Sequence, residues 1–406
     1  MTTYRIDAPR TALFSERPSA LPLAAVWAFT RAGMLLLLWR DTLGIGGIGR
    51  EVHVLYRHWY HQLAGGSFPP ADPAWQYPPG AGPVLLAPGM VPGLTYYQAF
   101  VVLTLLADAA VTFALARSGR GGAWIWVGGL PLLLHLPLAR YDVLVTAVAV
   151  LALLAVRAGR PLTGGALAGL GALVKVWPLL TLLGTPRGRA TRQAWTSAAV
   201  AAGALLAVLV LSFTHTLDFL RQQGGRGVQI ESLGGTVLSA AKLMGWRGTV
   251  QYRYGAFELT GPYTSAVAHL ALLLTAVALC WLVLWRVRSR RWNEATPLDA
   301  ALTAVLLFTV TSRVISPQYM VWLLGLAAVC LTCRETSQRT AGLLLLPAAA
   351  LSSLAYPVLY EDVIAVSPLG WGVVAARNAL LLAAALVSCR RLWLATVPQP
   401  LSLKGL

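Results

Sequence analysis

A polar and aromatic stretch, residues 50–80, follows the first long apolar segment of the chain. Its one glutamate, Glu51, could act as a general base, because a carboxylate can take a proton from an attacking hydroxyl group. Five neighbours could contact a sugar or an acceptor: His53, Tyr56, Trp59, Trp75 and Tyr77. The tryptophans and Tyr77 equally suit the aromatic belt of a membrane interface. We therefore predict that the chemistry centres on Glu51.

Ionisable groups also stand at the ends of later apolar runs, where they are costly and are functional candidates by default. The basic members are Arg140, Lys175, Arg226 and Arg313. The acidic ones, Asp142 and Glu231, join the residues that could contact a sugar or an acceptor. Such a set suits attack by a hydroxyl group on an activated lipid phosphate, because cations hold the phosphate and stabilise the charge that leaves. Lys175 is the best single phosphate contact, since Pro178 and the preceding glycines break the helix there.

Other pairings of these groups remain open. Arg140 could simply pair with Asp142, and Glu231 could fix its own loop through Arg226. Three more ionisable residues lie deep in apolar segments, where structural pairing is the expected role: Arg31, Asp108 and Arg377.

The composition indicates a polytopic membrane protein. Of 406 residues, 57% are hydrophobic and 12% are charged, about half the charged fraction of soluble domains. The net charge of +17 comes largely from short basic clusters between apolar runs, the pattern of loops held on the cytoplasmic side. We see no basic and aromatic interleaving that would suit nucleic acid. The four cysteines lie in or beside apolar runs, and a metal site at His58 and His61 is disfavoured, so no metal or cofactor is predicted.

The charge pattern also predicts the topology. Arg5, Arg10 and Arg17 precede the first span, which places the N-terminus inside, and the C-terminus is also predicted inside. Ten spans are predicted, at 21–39, 97–116, 123–138, 143–156, 194–213, 265–285, 298–310, 320–331, 342–357 and 369–387. Segment 162–183 would leave three arginines outside if it crossed once, so we predict a re-entrant hairpin broken near Lys175. The result is an all-α, single-domain protein of about twelve membrane segments over 1–406, with outer loops at 41–96 and 215–262.

The motifs in this topology resemble those of glycosyltransferase family 87. The first outer loop carries EVHVLY at 51–56, WY at 59–60 and WQYPP at 75–79. Further matches follow in the same order: RYD at 140–142, KVWP at 175–178, RGVQIES at 226–232 and SPQYMVW at 316–322. The resemblance covers residues 25–391. It implies a GT-C fold and an enzyme that uses a polyprenyl-phosphate sugar, typically mannose, as its donor. It also implies that transfer inverts the anomeric carbon and needs no nucleotide sugar. Members of the family are mostly actinobacterial.

The resemblance also implies roles for individual residues. Glu51 matches the first-loop general base, which in the family is usually an aspartate. Where many members carry a Ser-Trp-x-His-His run, this chain has Pro317-Gln318-Tyr319, so Gln318 with Arg313 is expected to contact the donor phosphate. The expected partners are the lipid bilayer, the polyprenyl-phosphate donor and a glycolipid or polysaccharide acceptor, with catalysis at the outer face of the plasma membrane. The alternatives are a transporter or flippase of lipid-linked sugar and a non-catalytic envelope protein.

Overall fold

The computed structural model describes residues 20–70, 72–222 and 226–398. The arginines at 5, 10 and 17 and both chain ends lie outside these ranges. The α-helices in the described ranges are α1 Ala20–Arg40, α2 Arg57–Ala64, α3 Ala81–Leu86, α4 Tyr96–Ser118, α5 Arg120–Gly129, α6 Asp142–Arg157, α7 Pro161–Val174, α8 Arg189–Ser212, α9 Phe219–Gln222, α10 Leu233–Leu243, α11 Thr264–Arg288, α12 Thr296–Thr311, α13 Tyr319–Cys330, α14 Arg339–Ser353, α15 Tyr360–Ala365 and α16 Pro368–Thr396. The 3₁₀ segments are Ala87–Met90, Leu130–Leu133, Leu136–Ala139 and Trp177–Gly184, and Glu51–Tyr56 is π-helical. Leu354–Val358 follows α14 as a kinked turn in which the Tyr356 backbone is extended.

Long apolar helices confirm a polytopic membrane protein. Within the described residues, six helical segments are long and apolar enough to cross a bilayer: Leu21–Arg40, Tyr96–Ser118, Arg189–Ser212, Thr264–Arg288, Arg339–Val358 and Pro368–Thr396. A helix suits this role because it satisfies its backbone hydrogen bonds internally. Five shorter apolar helices accompany them, so the predicted total of about twelve membrane segments stays a prediction.

The helices differ in how far they are covered by the rest of the chain. α8 and α11 are mostly exposed, with only 17% of each span buried. By contrast, almost every residue of α12 and α13 is buried. The two short helices therefore form the centre of the bundle, and the two long ones present their apolar side chains to lipid.

The predicted break near Lys175 is confirmed. α7 ends there, because the Lys175 backbone is extended, and Pro178 then lies in the first turn of a 3₁₀ segment, Trp177–Gly184. Gly165 lies against Ala194 and Gly169 against Ala198, so α7 and α8 run parallel. A parallel α8 requires the chain to return between the two helices. The return limb is a 3₁₀ helix of eight residues, Trp177–Gly184.

The two predicted outer loops meet at one end of the bundle. Ser67, in the first loop, forms a parallel bridge with Thr214, immediately before the second. The second loop carries a small antiparallel sheet of β1 Val228–Gln229, β2 Thr249–Arg253 and β3 Ala256–Thr260, in the order β1-β3-β2. Gln229 pairs with Glu258, and Val250 pairs with Leu259. The sheet is an unpredicted addition to an otherwise helical chain.

Candidate active site

A cavity of about 790 Å³ lies between the two loops and the adjoining helix ends. Eight of the predicted site residues line it: Glu51, Trp59, Tyr77, Arg140, Lys175, Arg226, Glu231 and Gln318. They come from positions spread over more than 260 residues of the chain, so the fold brings together most of what the sequence singled out.

The loop that leads into Glu51 is fixed by a partly buried network around Asp41. The Asp41 carboxylate accepts hydrogen bonds from the backbone N–H groups of Ile48, at 2.7 Å, and Gly49, at 2.9 Å. His135 Nε2 lies 3.2 Å from the same carboxylate. These contacts tie the loop to the helix bundle and so determine where Glu51 begins its π-helical turn.

Arg140 faces Glu51 across the cavity wall. Its Nη2 atom lies 3.6 Å from Glu51 Oε2, and its Nη1 atom donates to the Ala139 carbonyl at 2.8 Å and the Ile48 carbonyl at 3.3 Å. Burial lowers the pKa of Arg140, but the charges of Glu51 and nearby tyrosines outweigh burial and raise it above its ordinary value. The alternative pairing of Arg140 with Asp142 is wrong: the described ion pair of Arg140 is with Glu51.

Asp142 pairs with Lys175 instead. Lys175 Nζ lies 2.6 Å from Asp142 Oδ1, and Trp322 Nε1 donates to the same oxygen at 2.5 Å. Three rings surround the ammonium group, those of Tyr141 at 4.7 Å, Trp322 at 5.1 Å and Tyr77 at 5.7 Å. Cation–π contacts of this kind hold an ammonium group at a defined position. Asp142 is buried behind Lys175, so only the lysine reaches the cavity.

Glu231 lines the far wall of the cavity and forms an ion pair with Arg377 of α16. Its carboxylate lies 3.7 Å from Arg377 Nη1, and Arg377 Nη2 donates to its backbone carbonyl at 2.6 Å. Burial raises the pKa of Glu231 to about 7, although the Arg377 guanidinium lowers it in part. The alternative in which Glu231 fixes its loop through Arg226 is wrong, because Arg226 Nη2 donates to the Tyr254 carbonyl at 2.9 Å. The predicted structural pairing of Arg31 with Asp108 is confirmed, at 2.8 Å.

Five predicted site residues do not line the cavity: His53, Tyr56, Trp75, Asp142 and Arg313. His53 stacks on Tyr97 outside it. Tyr56 and Trp75 are buried and pack against Trp59, with ring centres 5.9 and 5.1 Å away. Tyr56 and Trp75 therefore support Trp59, which lines the cavity, from behind.

Five residues that line the cavity were not predicted as site residues from the sequence: Gln229, Tyr319, Trp322, Tyr356 and Tyr360. Tyr319 and Trp322 lie within the recognised 316–322 motif, three positions apart, and their rings stack with centres 3.9 Å apart. Residues three apart on a helix share one face. That spacing, on a helix that follows Pro317, is the sequence pattern that could have predicted that Tyr319 and Trp322 face the site together.

The basic side chains of the cavity can bind an anionic group such as a phosphate. Arg140, Lys175 and Arg226 all line it, and guanidinium and ammonium groups are the usual phosphate ligands. Within the described residues, no three histidine, cysteine, aspartate or glutamate side chains are grouped so that they could hold a metal ion. The arrangement can accept a proton at Glu51 beside a bound phosphate.

Comparison with known families gives a match over much of the chain. The sequence model of Glycosyltransferase family 87 matches residues 75–317, more than half of the chain. No curated protein matches significantly. The matched region contains most of the cavity lining, including Tyr77, Arg140, Lys175, Arg226 and Glu231. The chain is therefore a polytopic membrane glycosyltransferase that belongs to glycosyltransferase family 87.

Proposed function

We propose that the protein transfers a hexose, mannose in the first instance, from a polyprenyl-phosphate sugar to an acceptor hydroxyl group with inversion at the anomeric carbon. The observation that carries the proposal is the placement of Glu51 on the wall of a cavity that also presents three cations, Arg140, Lys175 and Arg226. A base beside a phosphate-binding set is what this transfer needs.

The reaction is a single displacement. The acceptor oxygen attacks the anomeric carbon of the donor as its proton passes to Glu51, and the bond from that carbon to the phosphate oxygen breaks. The electron pair stays with the polyprenyl phosphate, whose growing negative charge Lys175 and Arg140 stabilise. One displacement without a covalent intermediate inverts the anomeric configuration.

Exposed apolar side chains around the cavity suit the prenyl tail of the donor. Ile45, Val54, Val176 and Leu220 all line the cavity, and each is more than half exposed. A prenyl chain laid over them would remove apolar surface from water, which stabilises the complex. A nucleotide sugar would leave this surface uncovered, so its position supports a lipid-linked donor.

We place the cavity at the outer face of the plasma membrane and both chain termini at the cytoplasmic face. The basic clusters around Arg187 and Arg286 support this orientation, because short arginine-rich loops stay on the cytoplasmic side. A reporter fused at Arg189 is expected inside, and its detection outside would overturn the topology. The acceptor, a glycolipid or polysaccharide, would then be met outside the cell.

The test is transfer of radiolabelled mannose from polyprenyl-phosphate mannose to endogenous acceptors, in membranes that contain the wild type or Glu51→Gln. Glu361→Gln is the matched control, because Glu361 is exposed and does not line the cavity. We expect transfer by the wild type and Glu361→Gln and its loss in Glu51→Gln at equal protein levels. Equal transfer in all three would remove Glu51 from the mechanism. Transfer only from polyprenyl-phosphate glucose or arabinose would show that the donor sugar is not mannose.

The transport alternative has a weaker basis. Membership of a glycosyltransferase family favours transfer chemistry, and the transport hypothesis predicts labelling of cysteines placed near Lys175 from both sides of the membrane. Labelling from the cavity side alone agrees with the enzyme.

A further inference from the structure

A second, shallow pocket of about 630 Å³ lies where α8 begins and α11 ends. It is lined by Arg187, Gly188, Thr191, Arg192, Arg286, Val287 and Arg290. α8 runs from this pocket to Ser212, and the bridge between Thr214 and Ser67 beyond it belongs to the active-site loops. A helix of 24 residues is about 36 Å long. The pocket therefore lies at the end of the bundle away from the catalytic cavity.

Four arginines meet in this pocket without an acidic partner. Among the described residues, no carboxylate lies within 4.0 Å of the guanidinium group of Arg187, Arg192, Arg286 or Arg290. Positive charges assembled in this way repel one another unless an anion joins them.

Backbone and hydroxyl groups hold two of these arginines in place. Arg187 Nη2 donates to the carbonyls of Arg286 and Val287, the last turn of α11, where a cation is favourable. Arg286 Nη2 donates to Thr191 Oγ1 at 2.9 Å, which leaves Arg286 Nη1 buried without a hydrogen-bond partner. A buried donor without a partner is costly, so the site is built for an acceptor that the protein itself does not supply.

The start of α8 adds to the positive potential. Gly188 precedes the helix and offers no side chain to cap its first N–H groups. Those groups and the positive end of the helix dipole attract anions, and phosphate in particular. The helix start reinforces the arginine cluster.

An aromatic ring and an apolar surface adjoin the pocket. The Trp292 ring packs under Arg286 at 4.7 Å. Val283 and Val287, both exposed on α11, lead from the pocket along the lipid-facing surface. A phosphate in the pocket thus has an apolar path beside it for acyl chains, which a free phosphate ion would not use.

We propose that this pocket binds the phosphate headgroup of an anionic phospholipid, with the acyl chains lying along α11. Basic pockets between transmembrane helices recognise lipid phosphates in this way. The site is separate from the transfer reaction, and its existence does not depend on the identity of the donor sugar.

The test is native mass spectrometry of the full-length protein in detergent, titrated with phosphatidylglycerol and, separately, with phosphatidylcholine and inorganic phosphate. The variant Arg192→Gln/Arg290→Gln removes two exposed pocket arginines and leaves Arg187 and Arg286, whose guanidinium groups donate hydrogen bonds to the protein itself. The control Arg334→Gln/Arg339→Gln removes the same charge from exposed positions outside the pocket. We expect the wild type and the control to bind phosphatidylglycerol alike, and the pocket variant to bind it about 30-fold more weakly.

Three outcomes would overturn the proposal. Equal binding of phosphatidylglycerol and phosphatidylcholine would show that the headgroup charge is not recognised. Competition by inorganic phosphate at the lipid's own concentration would identify a free-anion site. An equal loss in the pocket variant and the control would show a diffuse charge effect. A thermal unfolding curve of each variant, recorded without added lipid, checks that the fold is intact.

Discussion

The guanidinium group of Arg140 lies 3.6 Å from the carboxylate of Glu51, although Asp142 is only two residues away in the sequence. This pairing leaves Asp142 to Lys175 and divides the polar groups of the site into two ion pairs, Arg140 with Glu51 and Lys175 with Asp142. Side-chain exposure separates the two carboxylates that line the cavity: Glu51 is 28% exposed, and Glu231 is 1% exposed. Glu51 is thus the carboxylate that an incoming acceptor can reach.

Two substitutions of Glu51 distinguish the effect of moving the base from the effect of removing it. Glu51→Asp keeps a carboxylate but withdraws it by about one C–C bond, roughly 1.5 Å. We expect the rate of transfer to fall about 10- to 100-fold in Glu51→Asp and about 10²- to 10⁴-fold in Glu51→Gln. The measurement is kcat for transfer at saturating donor. Activity in Glu51→Gln as high as in Glu51→Asp would contradict the role of a base.

The buried pair of Asp142 and Lys175 predicts coupled effects on stability. Either Asp142→Asn or Lys175→Met leaves one buried charge without its partner, and we expect each to lower the free energy of unfolding by about 3–5 kcal/mol. The double variant is expected to recover most of that loss, because neither charge remains. Thermal unfolding in detergent measures all three variants.

The double variant also tests the function of Lys175. If Lys175 contacts the donor phosphate, the recovered protein stays inactive although it is folded. An active double variant would restrict Lys175 to a structural role. Glu294→Gln is a suitable control, because Glu294 forms an exposed ion pair with Arg157 at 3.3 Å, and loss of such a pair costs about 0–1 kcal/mol.

The membrane architecture could be predicted because few physical rules decide it. Long apolar runs must form helices in lipid, and the arginines at 187, 189 and 192 forced a return of the chain at Lys175. The structure has that return. The hairpin of β2 and β3 was missed, although Tyr254 and Gly255 form a two-residue turn with positive φ at both positions. Such a turn favours a hairpin, but it lies in the outer loop 215–262, where no strand was predicted.

The pairing partners of the charged groups around the cavity could not be predicted, because sequence distance does not determine side-chain direction. The Arg140 backbone is extended and Asp142 begins α6, so two nearby residues join different groups. Glu231 finds Arg377, 146 positions later, through the docking of the second loop onto α16. The pattern of apolar residues predicts the helical segments of this protein, but it does not predict which polar side chains at their ends contact one another.

The raised pKa of Glu231 predicts how stability changes with pH. Since burial raises this pKa from 4.5 to about 7, the folded protein keeps a proton that the unfolded chain releases between these values. The free energy of unfolding therefore falls as the pH rises from 4.5 to 7, by at most roughly 3 kcal/mol. Glu231→Gln cannot titrate, so we expect its stability relative to the wild type to rise over that window. Equal pH profiles of the two proteins would contradict the shift. Glu361→Gln, at an exposed site, should follow the wild type.

The parallel packing of α7 on α8 predicts opposite outcomes for two glycines. A Cβ atom at Gly169 would overlap the backbone of Ala198, whereas at Gly203, on the open face of α8, it would meet nothing within 4 Å. We expect Gly169→Ala to cost about 1–3 kcal/mol in the free energy of unfolding and Gly203→Ala to be neutral or stabilising by up to about 1 kcal/mol. Because α7 ends at Lys175, moving the helix should also raise the KM for the donor in Gly169→Ala alone. Equal unfolding curves and equal KM values for the two variants would show that α7 does not pack on α8 in this register.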